Sequence, residues 1–247
     1  MKNRYNALIL AVAFVFFAGY AGAQVSVSGS TGADGTYASL TAVGGAFSAI
    51  NGSGQAGQNI TISITGDALA ETGANALNDG GWTSLTISPS GGSARTISGS
   101  FVGHLISLNG ADNVTIDGLN TGGNSLTIIN LAIGASSVIR FAADASNNTV
   151  TNCNLLGSTT ASFGVISFGT GTTTGNDGNS ITNNNIGPSA SGSPLNGIHS
   201  LGSSAVIDNS GNTVTGNNIY DYFVAGSSTS GINVNSFNSG WTISSNR

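Results

Sequence analysis

The chain has few charged side chains, a single cysteine and only one long apolar run. Charged residues make up 6% of its 247 residues, and no lysine occurs after Lys2. This scarcity of basic side chains excludes nucleic acid and anionic membrane surfaces as favoured partners, because both are bound mainly through Lys and Arg. The single cysteine, Cys153, excludes an intrachain disulfide framework.

The long apolar run lies at the N-terminus. Lys2 and Arg4 precede an apolar stretch over 7–17, and an A-x-A motif follows it. This order predicts a secretory signal peptide over residues 1–23, cleaved before Gln24. The run is too short for a transmembrane anchor, which needs about 20 apolar residues. We therefore expect an exported protein, secreted or at the outer cell surface, with no transmembrane segment.

The sequence does contain a repeated strand-and-turn unit. Residues 178–186 read GNSITNNNI, and similar units recur about every 30 residues, a period typical of repeat arrays. Aligned on the apolar residue after Thr or Ser, the units place five residues in equivalent positions: Ile116, Val150, Ile181, Val214 and Ile243. In each unit polar and apolar residues alternate, which predicts a short strand with one side chain pointing inward.

These strands predict an all-β fold, a right-handed parallel β-helix over residues 59–247. A second apolar stretch lies between successive units without a hairpin signal, so each period holds at least two parallel strands. Like residues should then stack, so that the five aligned apolar residues form one buried stack. The Asn runs that end the strands should form a structural ladder of Asn184, Asn217 and Asn246. Cys153 shares their column, as a small buried substitute rather than a nucleophile.

The two ends of the array and one internal stretch differ from the units. Residues 24–58 form a predicted N-terminal cap region, in which apolar residues that include Val43 recur at helical spacing and predict an amphipathic helix over 37–51. Residues 67–81 are predicted to leave the coil as a polar loop. At Arg247 the unit is still repeating, so we expect an incomplete array, or head-to-tail self-association through an uncapped last rung.

The stretch over 113–119, NVTIDGL, resembles the strand-and-turn motif of the pectin-lyase-like β-helix superfamily, and the Asn column is similar to the asparagine ladder of that superfamily. A closer resemblance is to long secreted Asn/Gly/Ser/Thr-rich β-helix proteins of Gram-negative bacteria, which often carry C-terminal sorting domains. The resemblance covers 59–247 and implies the architecture. Catalysis in the lyase and hydrolase members involves Arg, Lys and clustered Asp. This chain has no Lys after the signal peptide and no Asp-Asp pair, so no catalytic residue is carried over.

One outward column is a candidate active site. Alignment of the second strands stacks Ser107, Arg140, Ser167, His199 and Asn233. Arg140 could hold a sugar carboxylate, and His199, two rungs or about 10 Å away, could act as a general base. Asp144 or Asp208 could join from neighbouring turns. The favoured interpretation is simpler, that of isolated polar residues on a solvated face.

Three other features receive structural interpretations. His104 shares the parity of Ile106, which predicts a satisfied interior histidine. Residues 175–179 resemble a calcium-binding turn, but a lone motif with few carboxylates is more typical of an Asn/Gly turn, so we predict no metal and no cofactor. The outward Thr and Ser rows form a ladder that could organise water or ice, but Thr is also favoured on solvated strands, and loop 187–196 should interrupt its flatness.

These observations favour a secreted, non-enzymatic, adhesin-like protein of the cell surface or matrix, which contacts glycans through many weak contacts. The alternative is a carbohydrate-active enzyme, a polysaccharide lyase or glycoside hydrolase, that uses the face of Arg140 and His199. A groove lined by these two residues and at least two carboxylates would favour the enzyme, and a smooth face would favour the adhesin.

Overall fold

Alternating β-branched and polar residues produce short strands that stack in parallel. The computed structural model describes residues 22–247, which form a β-solenoid of about 6 turns with almost no helix. The parallel β-helix architecture is thus confirmed, whereas its right hand stays a prediction. The signal peptide falls on residues outside the described ones, apart from its last two, and also stays a prediction. No helix in the described range is both long and apolar enough to span a membrane.

The elements alternate between short strands and turns, with one helix near the start. In chain order they are β1 Val25–Ser28, β2 Gly35–Tyr37, α1 Ala46–Asn51, β3 Asn59–Ile64, β4 Ala68–Glu71, β5 Leu77–Asn78, β6 Ser84–Pro89, β7 Ala94–Gly99, β8 His104–Asn109, β9 Val114–Asp117, β10 Ser125–Gly134, β11 Ser137–Ala142, β12 Thr149–Thr151, β13 Cys153–Thr159, β14 Ile166–Phe168, β15 Ser180–Thr182, β16 Asn185–Pro188, β17 Asn196–Ser200, β18 Asn209–Ser210, β19 Thr213–Thr215, β20 Asn218–Ile219, β21 Ser230–Val234, β22 Asn238–Ser239 and β23 Thr242–Ser244.

Three sheets run along the solenoid. Sheet A has nine strands in the order β2-β1-β3-β6-β9-β12-β15-β19-β23. Sheet B contains β4, β7, β10, β13, β16 and β20, and sheet C contains β5, β8, β11, β14, β17 and β21. Pairing between turns is parallel, except that β1 is antiparallel to both β2 and β3. Each turn therefore passes through sheets A, B and C once before the chain returns to sheet A.

The interior of sheet A contains the stack of aligned apolar residues. Backbone pairing places all five in one register. Four of them are fully buried: Ile116, Val150, Ile181 and Val214. The expected burial of Ile243 is wrong, since this side chain is 47% exposed. Its strand, β23, is the outer strand of sheet A in the described residues, so Ile243 packs against a neighbour on one side only.

The N-terminal region is less helical than predicted. The helix expected over 37–51 is only α1, six residues long, and Val43 is 87% exposed rather than on an apolar face. Gly44 has a φ of 74°, and helical backbone begins only after Gly45. Buried Glu71 fixes the preceding segment instead, because its carboxylate accepts hydrogen bonds from the backbone N–H groups of residues 40 and 41 at 2.6 Å each. The role of the region as a cap stays a prediction.

Residues 67–81 are not a loop outside the coil, as the polar composition predicts. They contain β4 and β5, the sheet B and sheet C strands of the first turn. Ala68 pairs with Ile97 and Leu77 pairs with Leu108 in the following turn. The strands are too short to show an alternating pattern, so only their pairing partners reveal them.

The asparagine ladder is present and is one of three buried asparagine ladders among residues 22–247. Asn184 donates its backbone N–H and its Nδ2 to Asn217 Oδ1, at 2.9 and 3.0 Å, and Asn217 repeats both contacts with Asn246. Cys153 lies one turn earlier and donates its N–H to Asn184 Oδ1. The sequence interpretation missed two parallel ladders, one of Asn148, Asn179 and Asn212, and one of Asn176 and Asn209. The signal for the first of these was an Asn two positions before each of Val150, Ile181 and Val214.

Candidate functional site

The outer side of sheet C carries the column expected from the alignment of the second strands. The parallel pairing of its strands puts five polar residues in register: Ser107, Arg140, Ser167, His199 and Asn233. We call these five residues the sheet C column. Adjacent strands lie about 4.8 Å apart, so the backbones of Arg140 and His199, on either side of Ser167, are about 10 Å apart.

The centre of the sheet C column is buried, which corrects the expectation of isolated residues on a solvated face. Ser167 is 1% exposed, His199 is 5% exposed, and Arg140 is partly buried. Ser167 is a small residue between two longer side chains in register, so few directions remain open to water. The guanidinium of Arg140 also lies against Gly169, where an added Cβ would come within 2.9 Å of Nε.

Several polar atoms at this face have no hydrogen-bond partner among residues 22–247. Within the column these are Arg140 Nε, Ser167 Oγ and His199 Nδ1. Ser137 Oγ and His104 Nδ1 are also unpartnered, and these two residues stand opposite each other in β11 and β8. A buried polar group without a partner costs about 1–3 kcal/mol. The sequence interpretation missed this cluster, because the burial of a serine depends on residues from other turns.

Burial also shapes the electrostatics of the cluster. Desolvation lowers the pKa of the Arg140 guanidinium and that of His199. Burial, and then the charge of Arg140, lower the pKa of His104 to about 4. Both imidazoles are therefore neutral at neutral pH, while Arg140 keeps its positive charge. The cluster combines one fixed cation with neutral hydrogen-bonding groups.

The prediction that His104 is a satisfied interior residue is wrong. Its side chain is only partly buried, and its ring meets the ring of Phe163 edge-on, with centroids 5.3 Å apart. Phe163 belongs to the connection between β13 and β14, which leads from sheet B to sheet C. Parity fails here because the alternation of β8 is broken: the consecutive residues Leu105 and Ile106 are both buried.

Neither acidic residue proposed for an active site joins the column. The carboxylate of Asp144 accepts hydrogen bonds from the backbone N–H groups of residues 172, 173, 174 and 175, and from the hydroxyl of Thr172. Burial raises the pKa of Asp144, but these hydrogen bonds outweigh it and hold the pKa well below its usual range. Asp208 precedes β18, which pairs with β22 outside sheet C.

The turn over 175–179 belongs to the asparagine ladders. Asn176 donates Nδ2 to Asn209 Oδ1 at 2.9 Å, and the carboxylate of Asp177 accepts hydrogen bonds from the backbone and hydroxyl of Ser210. Asn176 Oδ1 in turn accepts a hydrogen bond from the backbone N–H of Ala145 at 3.0 Å, so side-chain oxygens of this turn that a cation would need are already engaged. Across residues 22–247, no group of three or more His, Cys, Asp or Glu side chains is placed to hold a metal ion.

Cys153 is a buried member of an asparagine column. It is 1% exposed, and its Sγ lies 3.1 Å from the carbonyl oxygen of Thr151. Burial raises the pKa of its thiol, so the thiolate needed for nucleophilic chemistry is disfavoured.

The outer side of sheet A forms a second regular surface, which we call the hydroxyl face. Its two columns are Thr61, Thr86, Thr115, Thr149, Ser180, Thr213 and Thr242, and Ser63, Ser88, Asp117, Thr151, Thr182, Thr215 and Ser244. All but Asp117 carry a hydroxyl. Loop 187–196 does not interrupt this face, contrary to expectation, because it connects β16 of sheet B to β17 of sheet C.

These features define the class of protein, a parallel β-solenoid built from repeats. No family model matches the chain, and no similar curated protein or solved structure was found. The resemblance to the pectin-lyase-like superfamily and to long bacterial surface proteins therefore stays a prediction.

Proposed function

We propose that the protein is an exported, non-enzymatic component of the cell surface or matrix, adhesin-like, that contacts glycans through the hydroxyl face. The observation that carries this proposal is the regularity of that face. The same two outward positions carry Thr or Ser on every parallel strand of sheet A except one. The matching outward positions of sheets B and C carry mixed residues, such as Asn154 and Arg140.

Repetition makes weak contacts effective. A hydroxyl can donate one hydrogen bond and accept others. Some hydroxyls of the face bond to each other, as Thr182 does to Thr151 Oγ1 at 3.0 Å, and these keep acceptor capacity for a sugar hydroxyl. Successive strands present such groups about every 4.8 Å. A polymer that engages several of them at once gains avidity, because each later contact is intramolecular. Asp117 is the one charged residue in the two columns, so the face offers mainly uncharged hydrogen-bonding groups, which suit a neutral polysaccharide.

The enzyme alternative rests on Arg140 and His199, which do share one column. A lyase or hydrolase at this place needs carboxylates beside them. Of the two candidates, Asp144 is held by loop 172–175, and Asp208 precedes β18, which lies outside sheet C. The arrangement therefore favours binding over catalysis.

The proposal is tested by measuring the binding of the purified protein to insoluble neutral polysaccharides and to cells. A triple variant, Thr151→Ala, Thr182→Ala and Thr215→Ala, removes one column of the hydroxyl face. A matched variant on sheet B, Thr127→Ala, Asn154→Ala and Asn185→Ala, removes the same number of outward polar groups. We expect a loss of at least tenfold in apparent affinity for the first variant and an unchanged affinity for the second. Equal losses, or no binding by the wild type, would refute the proposal. Release of unsaturated or reducing ends from uronate polymers, abolished by His199→Ala, would establish the enzyme instead.

A further inference from the structure

The unpartnered polar atoms of this protein are concentrated on one face. Six buried side-chain atoms lack a hydrogen-bond partner in the described residues, and five of them lie on strands of sheet C. The exception is Arg95 Nε on β7 of sheet B. The other buried side-chain N and O atoms in the described residues have hydrogen-bond partners, as those of the three buried asparagine ladders do. The concentration on sheet C therefore points to a ligand rather than to loose packing.

Three of these atoms are contributed by three successive turns. Arg140, Ser167 and His199 are neighbours across β11, β14 and β17, and each contributes one unpartnered atom. Ser167 and His199 are also more than nine-tenths buried. A bound group that reached all three would satisfy them together.

The residue types select the chemistry of that group. The Arg140 guanidinium offers N–H donors in a planar fork, which matches a carboxylate, sulfate or phosphate. The Ser167 hydroxyl can donate a hydrogen bond, and so can a neutral imidazole from one of its nitrogens. No carboxylate of residues 22–247 forms an ion pair with Arg140, and Asp144 is engaged by loop 172–175. A cation with neutral donors around it favours a negatively charged oxygen group.

We propose that the centre of the sheet C column, Arg140, Ser167 and His199, binds an oxyanion, either as a free ion or as the acidic group of a polysaccharide. The site is distinct from the hydroxyl face and does not depend on it. Ser137 and His104 flank the site on the same sheet and complete its polar surroundings.

The test measures the binding of four probes to the purified protein by titration calorimetry: inorganic sulfate, a sulfated dextran, a carboxymethylated dextran and neutral dextran. We expect binding of at least one of the three charged probes and no binding of neutral dextran at this site. Competition by inorganic sulfate would identify a free-ion site, whereas binding of polymers alone would identify an acidic polysaccharide. Both outcomes support the proposal.

Variants locate the binding. Arg140→Gln removes the charge and should weaken binding at least tenfold. Arg95→Gln is the matched control, because Arg95 also has an unpartnered Nε but lies on sheet B, and it should leave binding unchanged. Ser167→Ala removes a single hydroxyl from a buried position and should weaken binding without loss of fold, so the test does not depend on Arg140→Gln being stable.

Three results would overturn the proposal: no binding of any charged probe, equal effects of Arg140→Gln and Arg95→Gln, or unchanged binding in Ser167→Ala. The hydroxyl-face triple variant should bind the charged probes as the wild type does. If that variant loses neutral glycan but keeps the oxyanion, both functions stand, and failure of either is distinguishable from failure of the other.

Discussion

Asn184 and Asn185 are consecutive asparagines with opposite environments, which makes them a matched pair for measuring what the buried ladder contributes. The Asn184 side chain is 1% exposed and makes three contacts, as a donor to Val150 O at 2.9 Å and to Asn217 Oδ1 at 3.0 Å, and as an acceptor from Cys153 N at 2.9 Å. Asn185 is exposed, donates a side-chain hydrogen bond to Asn154 Oδ1 at 2.8 Å and accepts one from Asn218 Nδ2 at 3.3 Å.

Asn184→Ala should destabilise the solenoid strongly. It leaves two buried backbone groups, Cys153 N–H and Val150 C=O, without their side-chain partner. Each such group costs about 1–3 kcal/mol, so we expect a loss of about 2–6 kcal/mol in the free energy of unfolding. Asn185→Ala leaves its two partners, the partly buried Asn154 and Asn218, able to bond to water instead, and a change within about 0.5 kcal/mol is expected.

Urea denaturation followed by circular dichroism measures both variants against the wild type. Equal m values would show that the same structure unfolds in each, so that midpoints can be compared. Midpoint shifts of similar size for Asn184→Ala and Asn185→Ala would refute the reasoning, because burial is the property that separates the two residues.

Ile181→Asn places an amide in the buried stack of sheet A and should cost about 2–4 kcal/mol in urea denaturation; wild-type stability would contradict the burial argument. Because hydrogen bonds hold the folded-state pKa of Asp144 below its ordinary value of 3.8, its contribution to stability is present above that pH and is lost as the pH falls below it. Asp144→Asn should therefore narrow the difference in melting temperature between pH 7 and pH 3, and an unchanged difference would show that loop 172–175 does not depend on the charge. In a product made of residues 24–247 alone, the edge strands β20, β21 and β23 should favour end-to-end association, seen as a light-scattering mass that rises with concentration. A monomer at all concentrations, with strong hydrogen-exchange protection over 241–246, would contradict it.

Much of the fold follows from local sequence because its determinants repeat. Alternation around Ile181 sets which side chain points inward, and the Asn run after it ends the strand. Equivalent residues one period apart then fall into register, which is sufficient to predict the apolar stack, the Asn184 ladder and the sheet C column. Each turn of a stacked repeat contacts only the turns next to it, so the pattern within one period is sufficient to predict the arrangement of the whole array.

What only the tertiary structure decided are the properties that depend on how one turn meets the next. Short strands such as β4 and β5 form because they pair with β7 and β8 of the following turn, whereas their own composition predicts a loop. The segment before the helix is held by Glu71, distant in sequence, whose carboxylate accepts hydrogen bonds from the backbone N–H groups of residues 40 and 41.

The candidate site shows the same division. The alignment of repeats could place Arg140, Ser167 and His199 in one column, since register is a property of the sequence period. Their burial and missing partners could not be read in this way, because solvent access is set by side chains from adjoining turns and by the bend of β8 that turns His104 out of its expected parity. The sequence alone determined that equivalent residues of successive turns stack on one another. Packing between turns determined which of the stacked polar groups lack a hydrogen-bond partner within the protein and so can bind a ligand.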